Sequence, residues 1–175
     1  FISNPNDFIA MAKRVLQAEL AKIVVDGIQY EKVSGSVYEL RELLEDGAEE
    51  RDRFLDQMYQ VQNKQKTDFD YVVYDSDVER QFAERLDTRE DIKLFMKLPA
   101  KFKIDTPVGP YNPDWAIVKH EDGEDRVYMI RETKSTLDDS KLRPTEVAKI
   151  KSAKRHFAAI GIEDYGRSVP ENWNL

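Results

Sequence analysis

Three side chains of this sequence are spaced so that they could do chemistry together. Asp114 follows Pro113 at the start of an apolar run, Trp115-Ala116-Ile117-Val118. Glu132 and Lys134 close a second run that begins Val127-Tyr128-Met129-Ile130. The two runs flank a polar segment, Glu121 to Asp125, and read as the arms of a β-hairpin. With the tip centred on Gly123, residues whose numbers sum to 246 face each other, which sets Asp114 opposite Glu132. Lys134 returns to the same face by the period of two, above an apolar floor of Ala116, Val118, Tyr128 and Ile130. A bulge would move this pairing by one residue. Facing carboxylates destabilise a sheet unless a cation lies between them, and a divalent ion answers that need better than one lysine. With Lys134 to orient or help deprotonate a water, or to bond a phosphate oxygen, the trio could hydrolyse a phosphodiester.

The short pattern alone is weak. An acid, any residue and then Lys occurs three times: Asp91-Ile92-Lys93, Glu132-Thr133-Lys134 and Asp139-Ser140-Lys141. Only the middle copy ends an apolar strand and is preceded by the sole Pro-Asp pair. A plainer reading makes Asp114 a turn residue and Glu132–Lys134 a surface ion pair. On the motif alone the two readings weigh about evenly.

The elements around the trio follow from spacing. Asn4-Pro5-Asn6-Asp7 opens a helix whose stripe (Phe8, Met11, Val15, Leu16, Leu20) runs on through Ile23 and Val24 to Gly27. A short strand is expected over 28–33, a helix around 37–45, and strands over 58–61 and 69–74. Ser76-Asp77-Val78-Glu79 is a capping box that starts a helix with Val78, Phe82 and Leu86 on its buried side. Phe102-Lys103-Ile104 reads as the strand before the hairpin, and the hairpin's near-continuous apolar arms call for cover on both faces. Pro144 opens a helix to about Ala159 with the stripe Val147, Ile150, Ala153 and Phe157, and an extended piece from Tyr165 to Val169 follows. Residues 1–74 carry no chemical motif and read as an N-terminal α+β scaffold. Residues 75–175 read as an α/β core in the order helix, three strands, helix, strand.

Composition bounds the rest. The 175 residues hold 27 Lys and Arg against 34 Asp and Glu, a net charge of −7, with 41% apolar residues. That supports a substantial core and argues against disorder. The absence of cysteine excludes disulfides, thiolate zinc sites and Cys nucleophiles, and two histidines leave no multi-His cage. No apolar run nears the roughly 18 residues that span a bilayer and no signal peptide opens the chain, so a cytoplasmic location is expected. The chain starts at Phe1 rather than Met and reads as a piece of something longer. Bulk acidity argues against nucleic acid, but the charge is segregated. Residues 31–60 hold nine acids and four bases, whereas 141–155 hold six bases and one acid.

Asn112-Pro113-Asp114 followed by Glu132-Thr133-Lys134 resembles the signature of the PD-(D/E)XK nucleases, whose core has this order of elements. More narrowly, the block Thr106–Val118 with Arg131–Ser135 resembles the C-terminal endonuclease domain of the Res subunit of type III restriction–modification enzymes. Asp75–Arg80 and the helix Glu146–Phe157 are similar to that family too, so the likeness is dense over 75–160 and thinner before it. The resemblance implies a restriction-endonuclease-like αβββαβ core with a central mixed sheet flanked by helices. It also implies Mg²⁺-dependent cleavage of double-stranded DNA, with Mn²⁺ as a substitute, leaving a 5′-phosphate. Asp114 and Glu132 match the metal-binding acids, the Thr133 carbonyl completes that set, and Lys134 matches the catalytic lysine. Glu79 matches a further acid that many members place near the metal, though as the third residue of a capping box it has a structural job already. Lys149, Lys151, Lys154 and Arg155 are candidate DNA contacts or solvated charge, while His156 reads as a packing residue. No Gly-x-x-x-x-Gly-Lys-Ser/Thr loop occurs, so ATP would act only through a motor region outside this chain. The partners implied are DNA, the methyltransferase (Mod) subunit and the helicase region. Two alternatives stand beside this: another nuclease of the superfamily serving repair or recombination, or a non-catalytic module docking motor to methyltransferase through the acidic 31–60 stretch.

Overall fold

The hairpin lies at the centre of a four-stranded sheet. The computed structural model describes residues 4–27, 29–30, 57–67 and 69–175, with the backbone alone for 124–127. In chain order the elements are α1 (Pro5–Gly27), β1 (Met58–Gln60), β2 (Tyr71–Val73), α2 (Asp77–Thr88) and β3 (Ile92–Lys97). Then come β4 (Trp115–Glu121), β5 (Glu124–Thr133), a 3₁₀ turn (Asp139–Lys141), α3 (Pro144–Ala159) and β6 (Asp164–Ser168). The main sheet runs β3-β4-β5-β6; its first three strands are antiparallel, and β6 lies parallel to β5 after the crossover through α3. From α2 onward this is the αβββαβ order of a mixed α/β sheet with helices on its faces. The pair β1–β2 forms a separate antiparallel ribbon.

Both faces of the hairpin are covered, which is why its strands read as almost continuously apolar. Trp115, Ile117 and Met129 pack with Phe82 and Leu86 of α2 and with Val61 and Val72 beside and within the β1–β2 ribbon. Ile130 and the half-buried Ala116 meet Ala153 and Phe157 of α3 on the other side. Full burial of each large side chain here contributes about 1.5–3 kcal/mol. The expected floor beneath the acids is only partly formed, because Tyr128 is exposed.

The hairpin register agrees with expectation by two offsetting departures. Trp115 pairs with Arg131 and Lys119 with Val127, so Asp114 and Glu132 fall opposite each other. The tip is not centred on Gly123: Glu121 pairs with Glu124 around a two-residue turn, Asp122 (φ 54°) and Gly123 (φ 83°). Two successive positive φ values suit Asp-Gly, whose glycine carries no steric penalty there. A bulge between Lys119 and His120 then restores the register that the shifted tip would have lost.

Three other expectations need correction or fall outside the described residues. The first strand of the core is Ile92–Lys97, not Phe102–Ile104, whose only ladder contact is an isolated bridge from Ile104 to Tyr111. Ile-Lys-Leu-Phe-Met-Lys is rich in helix formers, and an irregularity between Ile92 and Leu94 breaks its alternation, so the strand does not announce itself. The apolar stripe expected to bury α1 is exposed: Phe8, Met11, Val15, Leu16, Leu20, Ile23 and Val24 are 41–70% accessible. The helix instead sets Ala21 and Val25 against Ala148 of α3 and Val108, small side chains that let the two helices approach closely. The strand over 28–33 and the helix around 37–45 lie outside the described residues, except Gln29 and Tyr30, which join no strand. Among the described residues no helix is long and apolar enough to cross a membrane.

Candidate active site

The end of β5 and the residue before β4 bring Asp114, Glu132 and Lys134 together at one sheet edge. Asp114 is fixed by Thr133, whose backbone N–H and hydroxyl both donate to Asp114 Oδ2 at 2.7 Å. Its own carbonyl accepts from Leu98 N–H at 2.7 Å, which ties it to the end of β3. The Glu132 side chain is only 5% exposed, and its Oε1 lies 2.9 Å from Lys134 Nζ. Tyr111 Oη donates to Glu132 Oε2, and Tyr165 Oη lies 2.7 Å from Tyr111 Oη. Lys134 Nζ also meets Glu146 Oε1 of α3 at 2.7 Å. The Glu132–Lys134 pair is therefore an interior contact and not a surface ion pair.

The electrostatics follow from burial and crowding. Burial first, and then the neighbouring Asp114 charge, push the Glu132 carboxyl up to about 7. Burial also raises Asp114, against the two Thr133 hydrogen bonds that favour its charged form, and the Glu79 charge adds to the rise. Burial alone would lower Lys134, but the Glu132 charge and the hydrogen bonds to Glu146 and Glu132 outweigh it and hold the ammonium above its ordinary range. Burial, with the Glu132 charge, raises Tyr111 and Tyr165, so both phenols stay protonated. Buried Glu132 and half-buried Asp114, both displaced upward, mark a place short of positive charge, and a cation fits it. Among the described residues no three His, Cys, Asp or Glu side chains converge on one point. The donor set that the side chains offer is thus two carboxylates, which suits an ion that keeps several waters.

The remaining candidates are spread over different surroundings. Lys149 Nζ donates to Pro110 O at 2.8 Å and, with Tyr111, Glu132, Arg143 and Glu146, lines a cleft of about 360 Å³ beside the acids. Lys151 and Lys154 are exposed. Arg155 is engaged elsewhere, with its guanidinium on Val25 O and 3.7 Å from Asp26 at the end of α1. Glu79 is held in the start of α2: its N–H donates to Ser76 Oγ at 3.3 Å and its carboxylate accepts from Asp75 N–H at 2.7 Å. Lys97 Nζ lies 2.6 Å from the same carboxylate. Tyr111, Tyr165, Glu146 and Lys97 are the participants that sequence reasoning missed. Glu146 left a signal, because it stands three residues before Lys149 and shares a helix face with it. The tyrosines left none, since only tertiary packing brings them to Glu132.

His156 is a packing residue, as expected. Its ring stands edge-on to Tyr30 and Phe157, at centroid distances of 5.6 and 5.4 Å, and its Nε2 has no hydrogen-bond partner. Burial lowers its pKa. The neutral ring therefore contributes stability that is present above the unfolded-state value, about 6.5, and is lost as pH falls through the folded value. Urea unfolding should show the wild type losing more stability than His156→Phe between pH 7 and pH 5. Equal slopes would exclude this role.

An αβββαβ core that presents two acids and a lysine at one edge of its mixed sheet defines a restriction-endonuclease-like domain. A family model described as an endonuclease domain matches residues 65–170, and the chain belongs to this family. It is a nuclease domain with DNA as its substrate. Comparison with curated proteins and with solved structures gives no match.

Proposed function

We propose that this domain is the Mg²⁺-dependent endonuclease of a type III restriction subunit, Res, and cuts double-stranded DNA to leave a 5′-phosphate. The carrying observation is the Asp114–Glu132–Lys134 cluster, in which half-buried Asp114 and buried Glu132 stand raised, with one ammonium between Glu132 and Glu146. The resemblance of Thr106–Val118 and Arg131–Ser135 to that subunit supports the finer assignment. Asp114, Glu132 and the Thr133 carbonyl would hold the ion, and Mn²⁺ would serve in its place. When bound, the ion supplies a Lewis acid for the phosphoryl group and eases deprotonation of a water. Thr133 holds Asp114 in one orientation, and Tyr111 does the same for Glu132. Lys134, fixed by two carboxylates, presents N–H donors to a phosphate oxygen or an attacking water. Lys149, Lys151 and Lys154 would meet the DNA backbone. The Mod subunit and the helicase region would supply site recognition and ATP-driven movement, so the isolated domain should bind DNA weakly and in a salt-sensitive way.

Asp114→Asn tests the reading. Asn can still accept from Thr133, so the fold should survive. Plasmid cleavage should fall by at least about 100-fold, and Mn²⁺ affinity, read by calorimetry, by at least about tenfold. A folded variant with both unchanged would remove Asp114 from the site.

A further inference from the structure

Glu79 and Lys97 form a closed pair next to Asp114. Lys97 ends β3 opposite Trp115, the residue after Asp114, and its side chain is 19% exposed. Its Nζ lies 2.6 Å from Glu79 Oε2 and 2.7 Å from Asp75 Oδ2, while Asp75 N–H donates to the same Glu79 oxygen at 2.7 Å. The Glu79 charge also acts on Asp114 and adds to its rise. The other buried carboxylate among the described residues, Asp87, is committed to Tyr59 and to the backbone N–H groups of Gln62 and Asn63.

A pair of divalent ions sharing one site needs carboxylate oxygens for both. Asp114 and Glu132 can serve one ion, and a second ion extending from Asp114 would have to draw on Glu79. We infer that the Lys97 ammonium fills that second cation position, so that this domain binds a single divalent ion and Glu79 is a counter-ion to Lys97, not a metal ligand. Two features make the ammonium a lasting occupant. The lysine stem is anchored on a sheet strand, and its charge is matched by two carboxylates. An ion approaching Glu79 would meet a fixed positive charge already in contact with the oxygen it needs. The inference rests on the metal-dependent reading above and adds its stoichiometry.

The test is titration of the 175-residue chain with Mn²⁺ alone, followed by calorimetry and by electron paramagnetic resonance of the bound ion. The wild type should take up one ion per chain. Glu79→Gln, which can still accept from Lys97, should also take up one, with affinity changed by less than about threefold. Lys97→Met should free Glu79 and admit a second, weaker ion. If Lys97→Met does not fold, Glu79→Gln decides. Two ions in the wild type would overturn the inference while leaving the metal-dependent reading intact. So would a loss of about tenfold or more in Glu79→Gln, or a folded Lys97→Met that still binds one ion. A wild type that takes up no Mn²⁺ at any concentration would overturn the metal-dependent reading itself, and this inference with it.

Discussion

Lys134→Ala is expected to slow DNA cleavage by about 10³-fold while Mn²⁺ affinity stays level or rises. The two readouts part because the lysine and the acids do opposite things to a cation. Lys134 Nζ is 2.9 Å from Glu132 Oε1, so its charge competes with any ion that Glu132 would hold. Removing it takes away a donor for the phosphate and relieves that competition together. The apo protein should suffer, since Glu132 and Glu146 lose their shared partner and breaking a buried pair costs about 3–5 kcal/mol. Protonation limits that loss, because the Glu132 carboxyl already stands at about 7. Added Mn²⁺ should therefore restabilise the variant more than the wild type, and circular dichroism on both states checks that the fold is kept. If rate and Mn²⁺ affinity fall in proportion, Lys134 does no more than hold Glu132 in place, and its role at the phosphate is excluded.

The cluster was legible in the sequence because a hairpin converts residue types into a register. Alternation fixes which side chains share a face, and one turn fixes which numbers oppose. The offset tip and the bulge at Lys119–His120 cancel; Asp122-Gly123 marks the two-residue tip, whereas the bulge leaves no mark in residue type. What surrounds Glu132 was not legible for a different reason. Tyr111 lies in the loop before β4 and Tyr165 in β6, and no local period links either one to Glu132. The basic run of α3 shows the limit of charge counting. It read as a row of candidate DNA contacts or solvated charge, yet Lys149 bonds Pro110 and Arg155, although exposed like Lys151 and Lys154, reaches back to α1. The stripe of α1 misled most, because amphipathic spacing states that a helix can bury a face and not which neighbour will cover it. Bulk charge was the poorest guide, since a chain of net charge −7 belongs to a family that acts on DNA.

The second large effect lies under the site rather than in it. Arg131→Ala is expected to destabilise the domain by about 3–5 kcal/mol. A charged residue next to Glu132 in the sequence invites a surface reading, but Arg131 is 1% exposed on the α2 side of the sheet. Its Nε donates to Asn174 O at 2.7 Å, and its Nη1 donates to Ile130 O at 3.1 Å and Asp164 O at 3.0 Å. Nη1 also lies 2.7 Å from Asp164 Oδ1. One guanidinium thus joins β5, the start of β6 and the tail at Asn174. Gly166, which pairs with Arg131 across the two strands, allows this closeness, because a Cβ there would lie 2.5 Å from Asn174 Nδ2. Alanine would leave carbonyl acceptors without a donor and a void beside the sheet, and both effects destabilise. Methionine would fill the void without restoring the donors, so Arg131→Met should fall at the lower end of the range. The Asp164 side chain is 41% exposed and can return to water, so Asp164→Asn should cost no more than about 1 kcal/mol. Urea unfolding of the three variants separates these contributions. If Arg131→Ala loses no more than Asp164→Asn, water replaces the buried donors, and the guanidinium is not what holds the tail and β6 to the strand that carries Glu132.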